Sequence, residues 1–133
     1  MLETFQHGGR TLAIVLRRGF RREGIEFFTP PEYSQQLAYM KRGAGYVIPP
    51  HVHNPVHREV HETLEVLFIK SGRVRVDLYT EQRSFVQSLV LETGDVILLA
   101  EGGHGFAMLE ESEMIEVKQG PYVGDADKTR FEP

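Results

Sequence analysis

Residues 45–72 read GYVIPPHVHNPVHREVHETLEVLFIKSG, and this stretch decides both the expected fold and the candidate chemistry. Four of the six histidines of the chain fall within eleven of these residues, namely His51, His53, His57 and His61. Neutral imidazole is the commonest protein ligand for transition metals. In an extended segment the rings of His51 and His53 lie on one side of the backbone, so both can bind one ion. The stretch therefore predicts a metal site.

Two further ligands are expected from other parts of the chain. Glu65 interrupts an apolar segment and shares one side of a predicted strand with Leu67 and Ile69, where an acid needs a partner. His104 follows the turn 101–103 after the apolar segment 95–100, so it is the best third imidazole. The predicted metal ligands are His51, His53, Glu65 and His104, which leave positions open for water or substrate.

Three residues between these ligands remain open as alternative ligands or as residues that support the ligands. They are His57, Glu59 and His61, in a polar stretch that is more typical of a solvated loop. Glu59 or Glu62 could replace Glu65 as the carboxylate. His104 could instead be a turn histidine at the end of a strand.

The order and spacing of these residues resemble the first motif of the cupins, small β-barrels in which two motifs together bind one metal. That motif, G-x5-H-x-H followed after a gap by E-x6-G, is matched by Gly45, His51, His53, Glu65 and Gly72. The gap is the departure, because eleven residues separate His53 from Glu65 where the family usually has three or four.

The second cupin motif, G-x5-P-x-G-x2-H-x3-N, is matched by Gly94, Gly102 and His104, with one residue fewer before the histidine. Ala100 replaces the proline and Met108 the asparagine. The resemblance implies an all-β fold, a cupin-type double-stranded β-helix (jelly-roll) barrel. A single domain would span residues 1–133, with motif 1 at about 45–72 and motif 2 at about 94–108.

Strand and turn patterns along the rest of the chain also predict about nine or ten short strands and no long helix, which is typical of a sandwich or barrel. Segment 45–48 reads as a strand that runs into the stiff Pro49-Pro50 turn, and residues 70–73 read as the turn of a hairpin. The other expected strands are 11–16, 25–28, 36–41, 64–69, 74–79, 84–91, 95–100, 105–109 and 114–118.

Composition limits the possibilities. A chain of 133 residues with 41% apolar content has room for one core. No cysteine is present, which excludes disulfides, thiolate metal sites and a cysteine nucleophile. The net charge of −4 argues against nucleic acid as a partner. No apolar run approaches the ~20 residues of a membrane span, and the first residues lack the pattern of a secretion signal, so a cytoplasmic location is expected.

Two function classes remain open. The first is an enzyme in which one divalent transition metal ion (Fe, Mn, Ni or Zn) acts on a polar small molecule, such as a sugar derivative, by isomerisation or oxidation. Its catalytic residues are not assigned, and Tyr39, Tyr46, His57 and Glu59 are candidate bases. The second is a ligand-binding or sensing module without turnover. A metal-free, epimerase-like cupin ranks last, because it needs a histidine with a carboxylate partner.

The sequence also predicts two surface features. The predicted strand 64–69 is apolar on both faces, so an outward Val66 and Phe68 need cover. Cupins commonly pair through outer sheets and N-terminal strands, and we expect a homodimer with a two-fold interface. The run 17–22, RRGFRR, could bind the phosphate of a substrate, but a solvated turn is the simpler interpretation.

Overall fold

The computed structural model describes all 133 residues, which form ten β-strands and one short 3-10 helix. The strands are β1 (Leu2–His7), β2 (Arg10–Leu16), β3 (Gly24–Phe27), β4 (Ala38–Lys41), β5 (Glu65–Ser71), β6 (Arg73–Tyr79), β7 (Phe85–Glu92), β8 (Val96–Leu99), β9 (Gly103–Met108) and β10 (Glu113–Lys118), and the helix is Gly124–Asp127. The all-β prediction is confirmed. Nine expected strands are present with ends shifted by at most two residues.

Three antiparallel sheets contain these strands. The largest has the order β1-β2-β8-β5-β10, the second has the order β7-β6-β9, and β3 pairs with β4. None of the sheets closes into a barrel. No helix is long and apolar enough to cross a lipid bilayer.

The hydrophobic core lies between the five-stranded and three-stranded sheets. Because strand side chains alternate, every second residue of each central strand faces inward. From the larger sheet these residues include Leu67, Ile69 and Ile97, and from the smaller sheet Val76 and Leu78, all at most 3% exposed. Burial of each such aliphatic side chain contributes about 1.5–3 kcal/mol to folding.

The prediction of a hairpin at residues 70–73 is wrong. β5 pairs with β8 and β10, whereas β6 pairs with β7 and β9, so the chain passes from one sheet to the other at Gly72. Gly72 has a φ of +94°, a conformation that glycine adopts without a steric penalty. A side chain there would collide with Ser112 and the backbone of Glu111.

The prediction of a strand at 45–48 is also wrong. Residues 42–64 contain no strand, and residues 42–63 are exposed to solvent. Pro49 and Pro50 lack the N–H groups that a sheet requires, so this part of the chain cannot extend a ladder. Conversely, β1 was not expected, because it contains only two apolar residues, Leu2 and Phe5.

The arginine run has a structural use at one end of the sandwich. Arg17 donates hydrogen bonds to both carboxylate oxygens of Glu3, at 2.8 and 3.1 Å, and to Asp95, at 3.0 Å. Arg17 and Arg18 also line a cavity of about 650 Å³ together with Arg73, but its walls carry as many acids, Glu92, Asp95 and Glu110. Positive and negative side chains therefore balance, and the cavity does not favour an anion.

Candidate functional site

The inner faces of the two larger sheets become polar at the end opposite the arginine run. Glu65 is the first residue of β5 and lies on the same face as Leu67 and Ile69. The antiparallel register places Lys118 opposite Glu65 and Glu116 opposite Leu67. In the other sheet, His104 lies opposite the buried Leu78. Four ionisable side chains thus share the inner faces where the apolar core ends.

Glu65 and His104 are in direct contact. The Nε2 atom of His104 lies 2.7 Å from Oε1 of Glu65, and the two side chains are 31% and 11% exposed. Burial by itself raises the pKa of Glu65, but hydrogen bonds from His104 and Glu116 oppose burial. The pKa of Glu65 consequently lies below its ordinary value, because these hydrogen bonds stabilise the carboxylate more than burial destabilises it.

Glu116 has the opposite shift. Its hydrogen bond to Glu65 and its partial burial raise the pKa of Glu116 above the ordinary value. Two neighbouring carboxyl groups resist double ionisation, so Glu116 is the first of the two to take up a proton as pH falls. Lys118, on the same face of β10, forms an ion pair with Asp127 at 3.1 Å.

His51 and His53 lie close to each other in the irregular segment 42–64. Their ring centroids are 5.3 Å apart and the rings are nearly perpendicular. Nδ1 of His51 is 2.9 Å from the carbonyl oxygen of Pro49. A carbonyl oxygen only accepts hydrogen bonds, so Nδ1 carries the proton in this geometry. The lone pair of Nε2 is then free to bind a metal ion.

The structure thus brings the four expected ligands together in two pairs, Glu65 with His104 and His51 with His53. It does not bring the two pairs together, since no group of three or more histidine, aspartate or glutamate side chains has a metal-binding arrangement. The three alternative residues form a separate exposed cluster, in which Glu59 lies 3.5 Å from His61 and 4.0 Å from His57.

Sequence reasoning missed Glu116 and Lys118. The alternation in segment 114–118 would have revealed them only if Ile115 and Val117 were assigned to the outside, and these two residues are 52% and 58% exposed. The candidate bases Tyr39 and Tyr46 contact other residues. Tyr39 packs edge-on against Phe20, at 4.9 Å between ring centroids, and the guanidinium carbon of Arg42 lies 4.5 Å from the ring centroid of Tyr46.

No protein-family model, curated protein or solved structure matches this chain. The site is therefore interpreted from its own residues.

Proposed function

We propose that this protein is a small metal-binding cupin whose polar inner end holds one divalent transition metal ion, Fe, Mn, Ni or Zn. The proposed ligands are His51, His53, Glu65 and His104. The observation that carries the proposal is the contact between Glu65 and His104. These residues come from different sheets and from two separate motifs. The sequence predicts both of them as metal ligands.

The donor spacing fits this proposal. Two donor atoms that each lie about 2.1 Å from an ion, at right angles, are about 3.0 Å apart. Nε2 of His104 and Oε1 of Glu65 are 2.7 Å apart. A shift of a few tenths of an ångström would therefore bring the two atoms to the spacing of adjacent ligands. The Nε2 proton of His104 would leave to solvent from an imidazolium, or move to Nδ1 in a neutral imidazole.

Chain length permits His51 and His53 to reach this pair. Eleven residues separate His53 from Glu65, and an extended chain spans about 3.3 Å per residue. The intervening segment belongs to no sheet and residues 54–63 are exposed, so its movement breaks no strand pairing. This segment leads directly into Glu65, the first residue of β5.

A bound ion would supply a Lewis acid for a carbonyl or hydroxyl group of a polar small molecule, such as a sugar derivative. Glu116 is then the best placed group to hold a proton beside that molecule, because the hydrogen bond to Glu65 raises the pKa of Glu116. Lys118 would orient anionic or hydroxyl groups. Without turnover, the same residues would form a ligand-binding module.

A second candidate function has its own supporting observation. A metal-free, epimerase-like cupin needs a histidine with a carboxylate partner, and His104 has one in Glu65. In this alternative the pair would move a proton to or from the substrate by itself, with Glu65 holding the imidazole in one orientation.

Metal analysis distinguishes the two candidates. We would purify the protein without a metal-affinity column and add Fe, Mn, Ni or Zn. After removal of unbound ions, the metal content is measured by mass spectrometry. The metal proposal expects about one ion per chain, lost in His104→Ala and Glu65→Gln. His7→Ala is the matched control, because His7 is an exposed histidine of β1. No bound metal in the wild type would reject the metal proposal and leave the metal-free pair.

We also propose that the protein is a homodimer. Val66 and Phe68 lie on the face of β5 that points away from the core, and the register places Val117 and Ile115 opposite them on β10. Phe68, Ile115 and Val117 are 39%, 52% and 58% exposed. A second copy that packs on this apolar patch would remove it from water.

A further inference from the structure

The C-terminal residues 119–133 run past the polar end of the sandwich and contain no strand. Their first residue, Gln119, donates its backbone N–H to the carbonyl oxygen of Leu64, and two further contacts hold the rest. At the first, Asp127 Oδ2 lies 3.1 Å from Lys118 Nζ, and the two side chains are only 9% and 24% exposed. The ion pair between Lys70 and Glu113 is 4.0 Å long with side chains 61% and 65% exposed. The Asp127 pair is therefore shorter and less screened by water than that surface pair.

The second attachment is an aromatic ring. Phe131 packs edge-on against Tyr79, with 5.1 Å between the ring centroids. Its ring also lies against Gly103, where an added Cβ would be 3.4 Å from two of the ring carbons. The guanidinium carbon of Arg83 lies 5.6 Å from the ring centroid. Phe131 thus packs against a small surface formed by β6, β9 and the turn after β6.

These two attachments lie on either side of the Glu65 and His104 pair. Lys118 is the register partner of Glu65, whereas Gly103 is the residue that precedes His104 in β9. Between the attachments, the charge of Lys128 acts on Glu116, the carboxyl group that hydrogen-bonds Glu65. The segment therefore passes from the side of Glu65 to the side of His104.

We propose that residues 119–133 are a strap across the Glu65 and His104 site, where 31% of the His104 side chain stays exposed, and that release of Asp127 and Phe131 opens the site further to the ligand. The proposal rests on the function proposed above, in that it takes this pair as the binding site. The strap is suited to opening because little else holds it. Tyr122 and Val123 are 77% and 60% exposed, and the helix Gly124–Asp127 buries no residue.

The direct test measures access to His104. Diethyl pyrocarbonate acylates accessible imidazoles, and peptide mass spectrometry assigns a rate to each histidine. We expect Phe131→Ala and Asp127→Asn each to raise the rate at His104 by about twofold or more. His7, on β1, is the internal reference and should not change.

Two matched controls separate the strap from general loosening. Phe85→Ala removes another ring that contacts Tyr79, at 5.8 Å between centroids, and Glu113→Gln removes the carboxylate of the exposed ion pair with Lys70. Neither residue belongs to the strap, so neither substitution should change the rate at His104. Unchanged rates in both strap variants, or equal increases in the controls, would overturn the proposal. If Phe131→Ala failed to fold, Asp127→Asn would decide.

Zinc uptake separates failure of the strap from failure of the metal function. Addition of Zn²⁺ to the apo protein should give the same final content in wild type and strap variants, reached at least several-fold faster in the variants. If the wild type and the strap variants take up zinc at the same rate and His104 is equally protected in all of them, the strap is rejected and the metal-site proposal stands. No uptake in any of them rejects the metal site, and the acylation rates then test the strap alone.

Discussion

Glu116 lies opposite Leu67 across the β5 and β10 pair, so its carboxyl group is on the inner side of the five-stranded sheet. The next inner residue of β5 is Glu65, and the two acids share a hydrogen bond. A pair of carboxyl groups on the inner wall of a sandwich is costly unless it holds a proton or a cation. This pair is one reason why we propose the polar end as the functional site.

Glu116→Gln tests the shared proton. The pKa of Glu116 is raised in the folded protein. Its contribution to the free energy of unfolding is therefore complete below about pH 4.5, the ordinary glutamate pKa, and is lost as pH rises through the pKa of the folded state. Glutamine resembles the protonated form. We therefore expect the substitution to raise the melting temperature of the apo protein at pH 7 and to leave it unchanged near pH 4. Glu113→Gln, on the same strand, is the control, and an equal effect at both pH values would contradict the shared proton.

Histidine substitutions test the ligand set. We predict that His51→Ala or His53→Ala abolishes metal binding, whereas His57→Ala and His61→Ala weaken it several-fold at most, because those two rings lie beside Glu59 in an exposed cluster. Calorimetric titration of each variant with Zn²⁺ gives the affinities. Equal losses in all four variants would place the outer histidines among the ligands.

Metal affinity should depend steeply on pH. Imidazole binds metal only when neutral, and its reference pKa of about 6.5 means that protons compete more strongly below that pH. We predict that affinity falls between about pH 6.5 and pH 5, with a slope that corresponds to several protons. Titrations at half-unit intervals measure that slope, and a constant affinity would argue against three histidine ligands.

Gly72→Ala tests the passage between sheets. Gly72 and Gly45 both have positive φ, +94° and +87°, but an added Cβ meets Ser112 and Glu111 only at Gly72. Loss of the glycine conformation costs about 1–2 kcal/mol. We expect Gly45→Ala to cost no more than this, and Gly72→Ala to cost several kcal/mol because the collision adds to it. Urea unfolding of both variants gives the difference, and similar costs would mean that Glu111 and Ser112 do not pack against Gly72.

Val117→Lys tests the homodimer. A charge at the centre of the apolar patch should prevent association, because the ammonium group would lose its water without gaining a partner. Sedimentation at tens of micromolar should show a dimer for the wild type and a single 15.2 kDa chain for the variant. Val52→Lys, at a residue that is 85% exposed in segment 42–64, should remain dimeric. A monomeric wild type would reject the dimer.

The sequence predicted most strands because alternation and β-branched residues are local signals. It also predicts that Glu65 needs a partner and that His104 follows the turn 101–103, and these two residues are in contact. It could not predict the passage at Gly72, because a glycine turn between two strands has the same local pattern whether the strands pair or separate. Nor could it assign the faces of β10, where Ile115 and Val117 are outside and Glu116 and Lys118 share the inner face with Met114.

Placing β1 and β10 in one sheet has a consequence for synthesis on the ribosome. β2 and β5 both pair with β8, and β5 also pairs with β10. The larger sheet therefore cannot be completed until residue 118 has left the exit tunnel, and its pairings join segments far apart in the chain. Such topologies fold slowly, since distant segments must meet before any pairing stabilises them. The strand that carries Glu116 and Lys118 is thus the last to join this sheet, and the contact between Glu65 and Glu116 cannot form before residue 118 has emerged.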